Sequence, residues 1–115
     1  MSVECVFCRI VAGEIPATKV HEDELIVAIR DLHPVAPVHL LLMPRDHVAS
    51  ALDLGEADAP LAGRLLATAA VLARSLGIAD GGFRLVVNAG VDGGQTVEHL
   101  HVHLLGGRAM HWPPG

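Results

Sequence analysis

An α+β fold is predicted for this chain: an antiparallel sheet with one long helix and a short N-terminal helix. Three observations lead there. Apolar runs of strand length recur at residues 19–22, 25–30, 38–43 and 83–88, and most of the connections between them are too brief for parallel crossovers. A single stretch between Asp58 and Gly77 carries leucines at helical spacing. Near the C-terminus, His99-Leu100-His101-Val102-His103-Leu104-Leu105 alternates imidazole with aliphatic side chains, which is the period of a strand.

The elements follow in order. Cys5 to Ala12 reads as a short helix ended by Gly13 and Pro16, and Lys19–Glu22 and Leu25–Arg30 form a hairpin about the acidic turn at 22–24. Asp31 to Pro37 is a break, because Pro34 and Pro37 fix the backbone and remove two ladder donors. A strand, Val38–Met43, runs up to Pro44. The long helix begins after Asp58 as N-cap, accepts Pro60 in its first turn and stops near Gly77. Its stripe of Leu61, Leu65, Leu72 and Leu76 is core. Gly81-Gly82 turns the chain into Phe83–Asn88, residues 90–95 form a polar glycine-rich loop, and the histidine strand follows.

At 115 residues and 51% hydrophobic, the chain has the size of one domain, residues 1–115. A formal charge of −5 argues against unspecific affinity for nucleic acid or an acidic membrane, while leaving room for a nucleotide in a local pocket. No apolar run approaches the roughly 20 residues that span a bilayer, and the N-terminus lacks the pattern of a signal peptide, so a cytoplasmic address is expected. The glycine-rich loop joins two strands and opens no helix, which excludes a P-loop or a Rossmann fingerprint.

The histidines carry the chemistry. Burying three imidazoles against a hydrophobic sheet is costly unless each finds a hydrogen-bond partner, a metal or a ligand. In a straight strand the outer two start about 13 Å apart, too far to share one ion whose ligands sit about 2.1 Å away. A division of labour is expected, with one outer histidine on a metal and two facing a substrate. Cys5-Val6-Phe7-Cys8 supplies two thiolates, and His99 with one further histidine completes a tetrahedral set; His47, three residues after Pro44, is the choice. A redox pair and two inert thiols are the other readings of C-x-x-C. The middle histidine, His101, with Nδ1 held by a backbone carbonyl, would present Nε2 as a nucleophile toward phosphorus, with loop amides and the Thr96 hydroxyl holding phosphate oxygens.

The run at 99–105 matches the signature His-φ-His-φ-His-φ-φ, with φ apolar, at every position, and the chain resembles the histidine triad (HIT) family. Cys5–Ile10, Gly13–Ala17, Ala36–His39, Val86–Asn88, Gly93–Val97, Gly106–Arg108 and the tail Met110–Gly115 also have counterparts there. The tail is similar to that of the nucleotide-binding branch with its adenosine 5′-phosphoramidases. The resemblance implies a HIT-like fold in a homodimer whose sheets join, and hydrolysis of purine nucleoside 5′-phosphoramidates through a nucleotidyl-His101 intermediate. Nucleoside monophosphate and an amine would be released. It implies supporting roles for His39 and His103, contacts of Asn88, Gln95 and Thr96 with phosphate or leaving group, and Asp31 on the ribose. It further implies Leu32 on the base, Trp112 in a tail reaching the partner subunit, and structural zinc on Cys5, Cys8, His47 and His99, with no catalytic metal. Thr96 replaces a serine common in the branch, and Glu98 stands where a β-branched or aromatic residue is commoner. The competing readings are a dinucleoside polyphosphate hydrolase, a zinc enzyme using His99 and His101, and a nucleotide-binding regulatory module whose hydrolysis is incidental. His21, His33 and His111 are read as surface or turn residues.

Overall fold

In the computed structural model, which describes residues 5–115, the elements run α1 (Val6–Val11), β1 (Lys19–Glu22), β2 (Ile26–Arg30), β3 (Val38–Pro44), α2 (Ala59–Ser75), β4 (Phe83–Val86) and β5 (Val102–Gly106). The expectation about the N-terminal segment falls partly on residues 1–4, outside the described residues. The five strands form one sheet in the order β1-β2-β3-β5-β4, and every pairing is antiparallel.

Strand period splits the sheet into two apolar faces. On one face Ile26 and Ala28 of β2, Leu40 and Leu42 of β3 and Val102 and Leu104 of β5 pack against Leu65, Ala69, Leu72 and Ala73 of α2. On the other face Val27, Ile29, Leu41 and Met43 pack against Phe7 and Ile10 of α1. The two central strands therefore read as nearly unbroken apolar runs, since both of their faces are covered. The triad face is the α1 face: His103 stands opposite Leu41 in the register, and His39 lies one diagonal away, opposite Leu105.

The helix stripe is core as expected, with Leu65 and Leu72 buried and Leu61 and Leu76 half-buried. Asp58 precedes α2, but its Oδ2 accepts the Gly55 N–H at 2.9 Å and makes no bond to the helix. That carboxylate closes a 3-10 turn, Glu56–Asp58, which the sequence pattern did not suggest. Gly77 ends the helix at φ +77, a conformation that costs glycine little. In β5, a Cβ at Gly106 would come within 2.5 Å of the Ile78 side chain, so Gly106 lets the α2–β4 connection lie on the strand.

Several boundaries differ from expectation, and Pro44, read as the stop after β3, is its last residue, paired with Ile26. β2 begins at Ile26 rather than Leu25, because the Leu25 and Ile26 amides are both held by Asp23 Oδ1 at 2.8 Å, an Asx turn that occupies Leu25. β4 ends at Val86, short of Asn88. The histidine strand starts only at Val102, because the Leu100 N–H is drawn off to Val48 O at 2.6 Å and the His99 N–H to Val97 O at 2.9 Å. His99 and His101 precede the ladder, and this local bend separates their side chains.

Candidate active site and metal centre

His99 is fully buried, and its ring is fixed from both ends. Its Nε2 lies 2.8 Å from Pro44 O, and a carbonyl oxygen can only accept, so Nε2 carries the hydrogen. Nδ1 is left as a lone pair, and it faces Cys5 Sγ at 3.3 Å and Cys8 Sγ at 3.5 Å. His47 Nδ1 lies 3.3 Å from Cys8 Sγ. The four ligand atoms lie within 4.8 Å of one another. Zinc–sulfur bonds of about 2.3 Å and zinc–nitrogen bonds of about 2.0 Å give tetrahedron edges of about 3.3–3.8 Å, close to the spacings present. The local folding explains the thiols: Cys5 is the N-cap of α1, and its Sγ accepts the Cys8 N–H at 3.3 Å, placing both sulfurs on one side of the helix start. The donor set fits zinc, which would tie α1 to the ends of β3 and β5.

His101 is turned the other way. Its Nδ1 lies 2.7 Å from His99 O, so by the same reasoning Nδ1 carries the hydrogen and Nε2 keeps its lone pair. One residue thus serves both centres, with the His99 ring toward the thiols and the His99 carbonyl toward the nucleophile. The Phe7 ring packs edge-on against His101 at 5.0 Å and against His99 at 5.8 Å.

The remaining hydrogens follow one by one. Val35 N–H donates to His39 Nδ1 at 3.1 Å, so the hydrogen of a neutral His39 is on Nε2. That Nε2 lies 3.0 Å from His103 Nδ1, which therefore accepts, and the hydrogen of His103 is on its own Nε2. Neutrality is supported by burial. It lowers His39, and it lowers His103 to about 4, with His101 and His39 nearby acting in the same direction and the Asp31 carboxylate opposing them. Asp31, His39 and His103 have the spacing of a metal site, but the Val35 amide already occupies His39 Nδ1. A cation at His39 Nε2 would have to displace that hydrogen with nowhere else on the ring for it to go.

A cavity of about 400 Å³ opens beside these rings. Phe7, Ile10, Ile15, Ile29 and Leu32 give its lining apolar surface, and Asp31, Thr96, His101 and His103 give it polar groups. A lining of this mixed kind can take an apolar ring together with polar groups. His39 is buried behind His103. Asn88, Gln95 and Trp112 do not line this cavity. Gln95 is committed elsewhere, with Oε1 accepting Gly90 N–H at 3.1 Å and Nε2 donating to Ala49 O at 2.7 Å and Val97 O at 3.0 Å. It braces the glycine-rich loop. Trp112 is 82% exposed in the tail. Phe7 and Ile10 were not read as site residues; the available signal was their position between and just after two metal-type cysteines. His33, read as a turn residue, also lines the cavity.

Residues 12–110 match the profile of the HIT domain. The chain belongs to the HIT family. It is 47% identical over 112 residues, 96% of this chain and 76% of the other, to a HIT-family relative named adenylylsulfatase HINT1 from Arabidopsis thaliana. It is 46% identical over 114 residues, 97% of this chain and 100% of the other, to a 14 kDa zinc-binding protein of Brassica juncea. Among solved structures, a HIT family hydrolase from Legionella pneumophila Philadelphia 1 superposes with a TM-score of 0.95 at 50% identity, covering 96% of this chain and 99% of that one. The HIT fold, with its five-stranded antiparallel sheet and one long helix, is thus common to this protein and its solved relatives.

Proposed function

We propose that this HIT protein is a hydrolase of purine nucleoside 5′-phosphoramidates that works through a covalent nucleotidyl-His101 intermediate. One observation carries the reading: the His101 Nδ1 hydrogen is held by His99 O, so a neutral imidazole that lines a nucleoside-sized cavity offers its Nε2 lone pair. Nε2 attacks phosphorus, the P–N bond breaks with its electron pair on nitrogen, and the nitrogen takes a proton as the amine departs. Water then attacks the phosphorus of nucleotidyl-His101, the P–N bond to the ring breaks, and nucleoside monophosphate leaves. His103 offers its Nε2–H to a phosphate oxygen or the leaving atom, and Thr96 offers a hydroxyl beside it. Asp31 is placed for the ribose hydroxyls and Leu32 for the base; Asn88 and Trp112 join the site only through movement or a second subunit. Zinc on Cys5, Cys8, His47 and His99 is structural in this reading, and no catalytic metal is required. A homodimer is part of it, since β4 is an edge strand with Phe83 and Val87 exposed beside it. The expected address is the cytoplasm; among the described residues no helix is long and apolar enough to cross a membrane.

A second reading is favoured by one feature. With His103 held neutral, the triad lacks a strong acid, which suits a leaving group that needs no proton, and a sulfate leaving adenosine 5′-phosphosulfate is of that kind. The name of the Arabidopsis relative points the same way. The deciding experiment compares hydrolysis of an adenosine 5′-phosphoramidate bearing a fluorogenic amine with that of adenosine 5′-phosphosulfate, without added metal, by the protein and by His101→Ala. Turnover of the first that vanishes in the variant is expected. Faster turnover of the second moves the assignment to the sulfate. No turnover of either, with nucleotide still bound, leaves a binding module.

A further inference from the structure

The Asp31 carboxylate is engaged by this chain at both oxygens before any ligand arrives, one by a hydrogen bond and the other by the charge it presents to a triad ring. Oδ1 accepts the His33 N–H at 2.8 Å, and Oδ2 lies 3.4 Å from His39 Nε2, the nitrogen that also donates to His103 Nδ1. The contact is sheltered, with 20% of the Asp31 side chain and 6% of the His39 side chain exposed. A residue whose only task was to hold ribose hydroxyls would have no need to be in contact with the triad. We infer that Asp31 is also a positioning residue for the triad: its Oδ2, 3.4 Å from His39 Nε2, sets an anion beside the N–H that His39 donates to His103, steadies that ring together with the Val35 amide, and so sets the direction in which His103 offers its remaining N–H. The inference rests on the nucleotidyl-transfer reading and assigns Asp31 a role that acts through His39.

The charged and titratable groups around this chain are few. His39 comes from β3, His103 from β5, and His101 from the segment before it, while Arg30 and His33 flank Asp31 on the cavity wall. Asp31 is the anion among them that touches the relay. Replacing it by asparagine keeps an oxygen for the His33 amide but turns an N–H₂ donor toward the His39 N–H donor. Two donors face to face push the ring away or force it to turn, and His103 loses its partner.

The test separates the two roles by removing the ribose hydroxyls from the substrate. Wild type and Asp31→Asn are compared on adenosine 5′-phosphoramidate and on its 2′,3′-dideoxy analogue. On the analogue, Asp31→Asn is expected to lower kcat about tenfold while KM moves less than about twofold, a fraction of the effect of losing a transition-state donor outright. Equal kcat for the two proteins on the analogue, with a defect only on the ribose substrate, would overturn the inference. Nitrogen-15 spectra of the histidines in the wild type and in Asp31→Asn give a second arm that needs no turnover. The wild type is expected to show His39 and His103 as Nε2–H tautomers, and Asp31→Asn to shift the His39 and His103 resonances and speed exchange of the His39 proton; identical spectra in the two proteins sink the idea. If neither substrate turns over, the nucleotidyl-transfer reading fails, and the spectra still decide the role of Asp31.

Discussion

Two clusters of imidazoles lie side by side at one end of the sheet, and their hydrogens are arranged on opposite plans. In the first, His99 sends its N–H outward to Pro44 O, so that its lone pair converges with two sulfurs and with His47 Nδ1. In the second, the hydrogens run in file: Val35 N–H to His39, His39 N–H to His103, and one N–H left over on His103. Converging lone pairs suit a cation, whereas a file of donors suits a phosphate beside one nucleophilic imidazole that lines the cavity. Residue type does not distinguish the two. The partner of the second ring nitrogen does, and in each ring fixed by the main chain that partner is a backbone group.

The comparison breaks most sharply at the nucleophile. His101→Ala is expected to lower turnover about 10⁴-fold or more while leaving metal content and melting temperature nearly unchanged, as measured by fluorogenic assay, metal analysis and thermal unfolding. A comparable loss of bound zinc in that variant would show the two clusters to be one centre. The converse substitution, Cys8→Ser, is expected to reduce zinc from about one per chain to near zero and to lower the melting temperature by about 10 °C, with kcat within about threefold. Selective loss of rate at unchanged stability would instead make the metal catalytic.

Acid probes the buried rings together. The folded His103 is lowered to about 4 from an ordinary 6.5, and burial also lowers His39 and His99. The unfolded chain therefore binds more protons between those values. Stability is complete above about pH 6.5 and declines as the pH falls toward about 4. Measured in Cys8→Ser, so that metal release does not contribute, the melting temperature is expected to drop by roughly 5 °C or more between pH 7 and 5. A flat profile would mean that the rings take up protons in the fold as readily as in the unfolded chain. The smallest effect belongs to Gln95→Ala. Loss of its bonds to the loop is expected to cost about 1–2 kcal/mol of stability by denaturant unfolding, with nucleotide affinity within about twofold. A tenfold loss of affinity would return Gln95 to the nucleotide contacts.

Much of this was legible in the sequence, for physical reasons that differ by element. β3 and α2 announce themselves because a strand covered on both faces is apolar nearly throughout, with His39 the exception in β3, and a helix covered on one face must repeat its leucines. The cysteine–histidine set was legible because few residue types bind zinc. The start of β5 was not, since whether Leu100 pairs within the sheet or with Val48 is settled by a long-range contact that no local pattern encodes. The bracing role of Gln95 was not legible for a related reason: its amide suits a phosphate as well as a backbone, and only the fold brings Ala49 within reach. Phe7 was silent because one aromatic ring reads as core, and here it is core, packed on the two histidines it separates from solvent.

The Val35 amide that fixes His39 has a bearing on how such proteins vary. A hydrogen supplied by the main chain is indifferent to the side chain that follows it, so position 35 can drift freely among residue types with one exception. Proline there would delete the donor, and the whole file of hydrogens from His39 onward would be free to reverse. The most consequential substitution in the loop is thus at a residue whose side chain touches none of the chemistry, and an alignment that scored similarity of side chains would rank it among the harmless ones.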